Sequence, residues 1–377
     1  MMNITPSERL FDIFESLLEV NSPPGKEEKI AQLVKKLLNP VPLIEKTSIT
    51  KDGKPHNNLL FKLPASEQTN RPTLLLSAHL DTVEPTEGLV VKVMDDAYHT
   101  SGNTILGGDD KSGIAIIIET LLTLCEKSLP HPALEILFTE KEEVGLLGSK
   151  RLSPDVFTSQ QGIILDADGV AGLITYQAPF QRNFKAHIKG IPAHAGSEPE
   201  KGKSAILGAS KIIQSIPFGR IDDETSLNIG KIAGGKATNI VAEDVFIDGE
   251  IRSISKDKLE LLNTYIEKQL TSLQEEDYQV QYDTNLTYHG YSNDLSTPFH
   301  KHLKNTALQC GIEPVFKKSG GGSDANVLRG FLPNLECVVL STGMQKVHTH
   351  QEFIRKKDLF STAQWLLSFI TNDVSQT

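Results

Sequence analysis

The chain has 377 residues, 48 acidic side chains against 38 basic ones, and a formal net charge of −10. Such a length exceeds one ordinary compact core and makes two domains the expectation. The acidic balance argues against nucleic acid or an anionic membrane as partner, since both need a basic face. The three scattered cysteines, Cys125, Cys310 and Cys337, argue against a disulfide framework or a thiolate zinc cluster.

Met1–Glu8 lacks a basic segment followed by an apolar one, and no apolar run approaches the roughly 20 residues of a membrane span. A soluble, cytoplasmic protein is expected. Thr5 as cap, Pro6 at the first helical position and Glu8 at the third predict a helix start. Leu10, Phe11, Phe14, Leu17 and Leu18 then recur at helical spacing, and Asn21–Gly25 ends the element. A second amphipathic helix runs through Ile30, Leu33, Val34 and Leu37. Strands are predicted at Asn58–Leu63 and Thr73–Ala78, the latter apolar almost throughout, as in a strand covered on both faces. Next come a helix at Ser112–Glu126, a strand at Ala133–Thr139, a short helix at Val144–Leu152 and a strand at Gly162–Leu165. This alternation predicts an α/β class, with a largely parallel or mixed sheet flanked by helices.

After Pro179 the rhythm changes. Strands at Asn183–Lys189, Ser226–Ile232 and Asn239–Ile254, with helices at Ser204–Gln214 and Lys256–Leu273, predict a small antiparallel sheet carrying two helices. We therefore expect an inserted α+β domain at 181–295, flanked by 1–180 and 296–377, which form the first domain. A helix at Phe299–Gln309, a strand at Leu335–Leu340 and a helix at Asp358–Ile370 resume the earlier style.

Five groups of polar residues fall where a predicted strand gives way to a loop. His79 and Asp81 alternate at the end of the second strand, so they share a face at the carboxyl end of the sheet, where open sheets bind ligands. The alternative is an ordinary rim histidine beside an unrelated acid. Gly107-Gly108-Asp109-Asp110-Lys111-Ser112-Gly113 turns sharply before a helix, and its two acids would repel a phosphate. Glu142 and Glu143 follow the apolar run Ala133–Phe138. Two such carboxylates repel unless one takes up a proton or a cation neutralises them, the alternative being solvated acids at a helix start. Asp166-Ala167-Asp168-Gly169 and His348-Thr349-His350-Gln351-Glu352 complete the set. Gly196–Ser204 misses the P-loop spacing by one residue and carries two acids, so a nucleotide site is set aside. Oxygen and imidazole donors without thiolate suit zinc, cobalt or manganese, with zinc the usual choice for hydrolysis.

The ordered set HxD, GGDDKxG, EE, DxDG and HxxxE resembles the two-zinc aminoacylase/carboxypeptidase metallopeptidase family, in particular its peptidase T-like, tripeptide-aminopeptidase branch. The resemblance implies a zinc-peptidase fold with an inserted lid or dimerisation domain, two divalent metals (Zn2+, or Co2+ or Mn2+) and a short peptide as substrate. It assigns His79 and Asp168 to one metal, Glu143 and His348 to the other, and Asp109 to a bridge between them. Asp168 is chosen over Asp166 because it directly precedes the glycine, and His348 over His350 because it stands four residues before Glu352. Asp81 would orient His79, and Glu142 would be the general base. His194, Asn239, Arg252 and Gly321 would contact substrate, with Gly321 inside the glycine-rich Ser319–Asp324 loop, otherwise a surface turn. A homodimer through the inserted domain is likewise implied. Removal of an N-terminal residue is the expected reaction. The alternatives are a carboxypeptidase or N-acyl amino acid amidohydrolase with the same centre, and more distantly a binding protein that keeps only the fold.

Overall fold

Leu74–His79 is the strand around which the first layer assembles, and all six of its residues are buried. It pairs in parallel with Leu134–Thr139 on one side and with Gln161–Ala167 on the other. The computed structural model describes residues 8–66 and 71–372. The cap expected at Thr5 and Pro6 lies outside the described residues, whereas the helix it would open runs Glu8–Leu18. The sheet order is Ile44–Lys46, Leu59–Leu63, Leu134–Thr139, Leu74–His79, Gln161–Ala167, Glu336–Ser341 and Leu173–Ala178, with Val315–Lys318 also beside the last. Leu59–Leu63 is antiparallel to Leu134–Thr139, so the sheet is mixed, as the α/β reading anticipates. One core joins Leu76, Ile136, Leu165 and Leu340 of the sheet to Leu10, Phe14, Ile117 and Trp365 of the helices.

The chain divides into two compact units. One runs to Gln177 and resumes at Asn293–Ser319 and from Ser323; the other takes Ala178–Ser292 with Gly320–Gly322. The second unit has its own antiparallel sheet, ordered Gly219–Arg220, Thr225–Gly234, Asp244–Ser253, Phe180–Lys189 and Gln279–Tyr288. Helices Ala205–Ser215 and Lys256–Ser272 cover it through Ala209, Ile212, Leu259 and Ile266, packed with Phe184, Ile188, Val245 and Ile251. Both helices start on serine caps, Ser204 and Ser255, whose side chains accept N–H bonds from Leu207 and Lys258.

Several elements differ from expectation. The helix predicted from Ser112 is preceded by a turn from Gly108 in which Asp109 and Asp110 are non-helical, and the one at Val144–Leu152 shrinks to the single turn Leu147–Lys150. The strand Gln279–Tyr288 and the helix Asp324–Phe331 were not anticipated. Among the described residues, no helix is long and apolar enough to cross a membrane.

Candidate metal centre

The expected polar groups converge at the carboxyl ends of Leu74–His79, Leu134–Thr139 and Gln161–Ala167. The Asp109 carboxylate sits between two imidazoles: Oδ1 is 3.1 Å from His79 Nε2 and Oδ2 is 3.1 Å from His348 Nε2. Glu143 Oε1 lies 3.0 Å from the same His348 nitrogen, and Asp166 Oδ1 lies 3.7 Å from His79 Nε2. Donor atoms of His79, Asp109 and Glu143 fall within 4.8 Å of one another, and so do those of His79, Asp110 and Asp166. Two atoms each about 2.1 Å from one tetrahedral ion would stand about 3.4 Å apart, so these separations fit cations seated on either side of Asp109. Asp110 is committed elsewhere: its oxygens accept the main-chain N–H of His79 at 3.1 Å and of Gly113 at 3.0 Å. Gly113 tolerates this closeness because it has no Cβ, which would meet the Leu165 carbonyl oxygen at 2.3 Å.

Asp168 stands apart, which corrects its placement beside His79. Its side chain is 64% exposed and its Oδ1 accepts from Lys317 Nζ at 3.0 Å. Asp166 occupies the position by His79 because it is still on the Gln161–Ala167 strand, at the rim, whereas Asp168 has passed into the turn at Gly169, φ 113°. The preceding-glycine rule in the sequence pointed to the turn residue; alternation puts both acids on one face, and the end of the strand at Ala167 selects Asp166.

Asp81 orients His79 through an unexpected atom. His79 Nδ1 donates to the Asp81 main-chain oxygen at 2.8 Å, so Nε2 is left as the ligating nitrogen. The Asp81 carboxylate accepts the N–H groups of Glu142 at 2.9 Å and Glu143 at 3.1 Å. Glu27, fully buried, takes the N–H of Lys141 at 3.1 Å. The acid turn is therefore gripped along three consecutive residues by carboxylates from the preceding chain. Lys141 and His348 both hold left-handed backbone, φ 53° and 62°, a conformation kept at non-glycine positions only where surroundings enforce it.

Electrostatics mark the same place. Burial raises Asp166 well above the ordinary carboxylate range, with Asp109 adding to it and His79 opposing. Burial and then Asp166 likewise raise Glu142. His348 is raised to about 10 by its bonds to Asp109 and Glu143. Burial pulls His79 down, but Asp109 and Asp81 outweigh it and hold it well above the usual imidazole value. This much uncompensated carboxylate is what divalent cations would neutralise.

The remaining expected residues, His194, Asn239, Arg252 and Gly321, lie in the second unit. His194 is exposed, and its Nδ1 accepts from the N–H groups of Gly196 at 3.2 Å and Ser197 at 3.1 Å. An imidazole nitrogen that accepts two N–H bonds carries no proton, so in the neutral ring the proton is on Nε2. The Asn239 carbonyl accepts the Ala195 N–H at 3.0 Å, which sets the two loops side by side. Arg252 pairs with Glu250 at 2.8 Å and donates to the Gly320 carbonyl at 3.1 Å, beside Gly321.

The profile of peptidase family M20/M25/M40 matches residues 75–372. The chain belongs to this family. Uncharacterized protein YqjE of Bacillus subtilis is 35% identical over 369 residues, 96% of this chain and 98% of that protein. The structure is similar to aminopeptidase PepT from Bacillus cereus, with a TM-score of 0.90 and 36% identity over 97% of this chain and 98% of that one. A tripeptidase from Staphylococcus aureus gives 0.91 and 30%, over 98% and 99%. The resemblance to the peptidase T-like branch of the metallopeptidase family that the motifs carry is borne out, and the chain is an enzyme of the metallopeptidase class.

Proposed function

We propose that this M20-family chain is a two-metal aminopeptidase that removes the N-terminal residue from short peptides, tripeptides among them. The arrangement that carries the reading is the Asp109 carboxylate held 3.1 Å from each of His79 and His348. On this reading His79 and Asp166 would hold one cation and Glu143 and His348 the other, with Asp109 shared between the two. The similar proteins named PepT and tripeptidase support the substrate class. The thiolate-free donor set favours Zn2+, with Co2+ or Mn2+ also accommodated.

Bound divalent ions polarise a peptide carbonyl and bring the pKa of a water toward about 7. Glu142, adjacent to a ligand and raised by burial, accepts that water's proton and delivers it to the leaving amine. Asp81 keeps Glu142 in register through its main chain. The Nε2–H of His194 suits it to donate to a substrate oxygen, and the Arg252 guanidinium suits a carboxylate. Asn239 and Gly321 complete the proposed substrate contacts.

A cytoplasmic homodimer formed through the second unit belongs to the same reading. Exposed apolar side chains there, Ile206 (50%), Leu207 (62%), Ile232 (56%) and Phe246 (52%), support an interface. Sedimentation showing only monomer would remove that part.

The deciding assay compares a free tripeptide with its N-acetylated form, with and without chelator. We expect chelator-sensitive release of the first residue from the free peptide alone. Equal or faster cleavage of the acetylated peptide would transfer the activity to the N-acyl amino acid amidohydrolases.

A further inference from the structure

Glu352 has no exposed surface, and its carboxylate is engaged by main-chain N–H groups. Oε2 accepts the main-chain N–H of Gly107 at 2.9 Å and Oε1 that of Asp109 at 3.1 Å, across 245 and 243 residues of chain. These groups belong to the lead-in of the helix that runs to Glu126, where Asp109 (φ −80°, ψ 104°) and Asp110 (φ −119°, ψ 34°) depart from helical backbone. A carboxylate there satisfies buried main-chain N–H groups. Gly108 is fitted to this approach, since a Cβ would come within 3.1 Å of Glu352 Oε1 and 2.4 Å of Ile354 Cδ1. Lys111, also buried, donates to the Val20 carbonyl at 2.7 Å and feels the Glu352 charge, which opposes the lowering of its pKa by burial.

At its own main chain Glu352 belongs to the turn that carries His348: its N–H donates to the Thr349 carbonyl at 3.1 Å. One residue thus anchors both the turn that presents Asp109 and the turn that presents His348. Such N–H groups could be satisfied by any small polar side chain in place. An acceptor delivered from the His348 turn does more, because it fixes where the Asp109 carboxylate stands relative to that imidazole. We infer that Glu352 is a positioning residue that holds Asp109 between His79 and His348, and through that spacing sets the affinity of the site for divalent cations. This rests on the proposed metal centre. Partners that orient ligands typically contribute about 10–100-fold to metal affinity.

The test titrates Co2+ into metal-free wild type and Glu352→Gln, following the visible absorption bands and competition with a chelator, with circular dichroism melts alongside. Gln keeps one acceptor but turns an NH2 toward the other N–H. The expected result is a folded variant whose Co2+ dissociation constants rise about 10–100-fold, with altered absorption bands. A folded variant with wild-type affinity and bands, whatever its melting temperature, overturns the inference and leaves the metal centre standing. Wild type that binds no Co2+ overturns the metal centre and this inference together. If Glu352→Gln does not fold, amide hydrogen exchange on metal-free wild type decides: Gly107 and Asp109 must exchange slowly, and rapid exchange at both sinks the assignment.

Discussion

Asp81 Oδ1 accepts the main-chain N–H of Glu142 at 2.9 Å, a bond that spans 61 residues and ties the end of one strand to the acid turn after another. The same residue's carbonyl oxygen takes His79 Nδ1 at 2.8 Å. The His79 imidazole and the proposed base are therefore referenced to a single buried aspartate.

Asp81→Ala removes the acceptor for two N–H groups and lets the acid turn shift. A displacement of about 1 Å at a reacting group costs on the order of 10²-fold. We expect kcat to fall by that order with KM little changed, in steady-state kinetics at saturating Co2+ or Zn2+. An unchanged kcat would mean the Glu142 turn holds without Asp81.

Glu142→Ala separates base from ligand. Metal content by atomic absorption should match wild type, while kcat drops about 10²–10⁴-fold, the usual contribution of a positioned general base. Loss of metal in this variant would place Glu142 among the ligands instead.

Asp166 and Asp168 are told apart by the same measurement. Asp166→Asn should bind fewer ions per chain than wild type, because it removes the carboxylate by His79. Asp168→Asn should keep full metal content and lose only an exposed pair with Lys317, worth about 0–1 kcal/mol. The reverse pattern would restore the assignment read from the motif.

Stability rests on a different acid. Glu135 is 1% exposed and accepts from Lys62 Nζ at 2.7 Å, Thr158 N at 3.0 Å and Ser159 N at 3.1 Å. Glu135→Ala should cost about 3–5 kcal/mol in urea unfolding, since it leaves a cation and two N–H groups without their acceptor. Activity per folded molecule should remain.

His300 supplies a pH dependence. Its Nδ1 faces Glu336 Oε1 at 3.1 Å, whereas its buried Nε2 has no partner among the described residues. A second proton would have to enter at Nε2, so burial holds the imidazole below its ordinary pKa despite Glu336 and Asp294. The unfolded chain thus binds this proton more readily than the folded one. Stability from this source is complete above about pH 6.5 and is lost as pH falls below it. Melting temperatures at pH 8 and 5.5 should diverge less in His300→Gln than in wild type; equal divergence would exclude His300 as the source.

Much of this architecture was legible in the sequence because its strongest signals are local. Leu74–His79 and Leu134–Thr139 announce themselves as apolar runs, and helices such as Lys256–Ser272 by spacing and a serine cap. Gln279–Tyr288 escaped because it lies at the edge of its sheet, where only alternate residues such as Val280 and Tyr282 pack inward and the others are polar. Asp324–Phe331 escaped because its start sits in a glycine-rich stretch that reads as a turn, while the Ser323–Asn326 capping box shows only in three dimensions. At the site, residue types and motif order pointed to His79, Asp109, Glu143 and His348 as neighbours. The choice between Asp166 and Asp168 needed the strand's true end, and the grip of Asp81, Glu27 and Glu352 on distant N–H groups leaves no trace in residue spacing.

Glu336–Ser341 lies between Gln161–Ala167 and Leu173–Ala178, although the whole inserted unit is made before it. During synthesis on the ribosome, the nascent sheet therefore waits with an open slot, its two flanking strands exposing unpaired backbone, until nearly the entire polypeptide has emerged. Chains released early by truncation would keep that slot empty and offer it to other strands, making them candidates for aggregation or proteolytic removal.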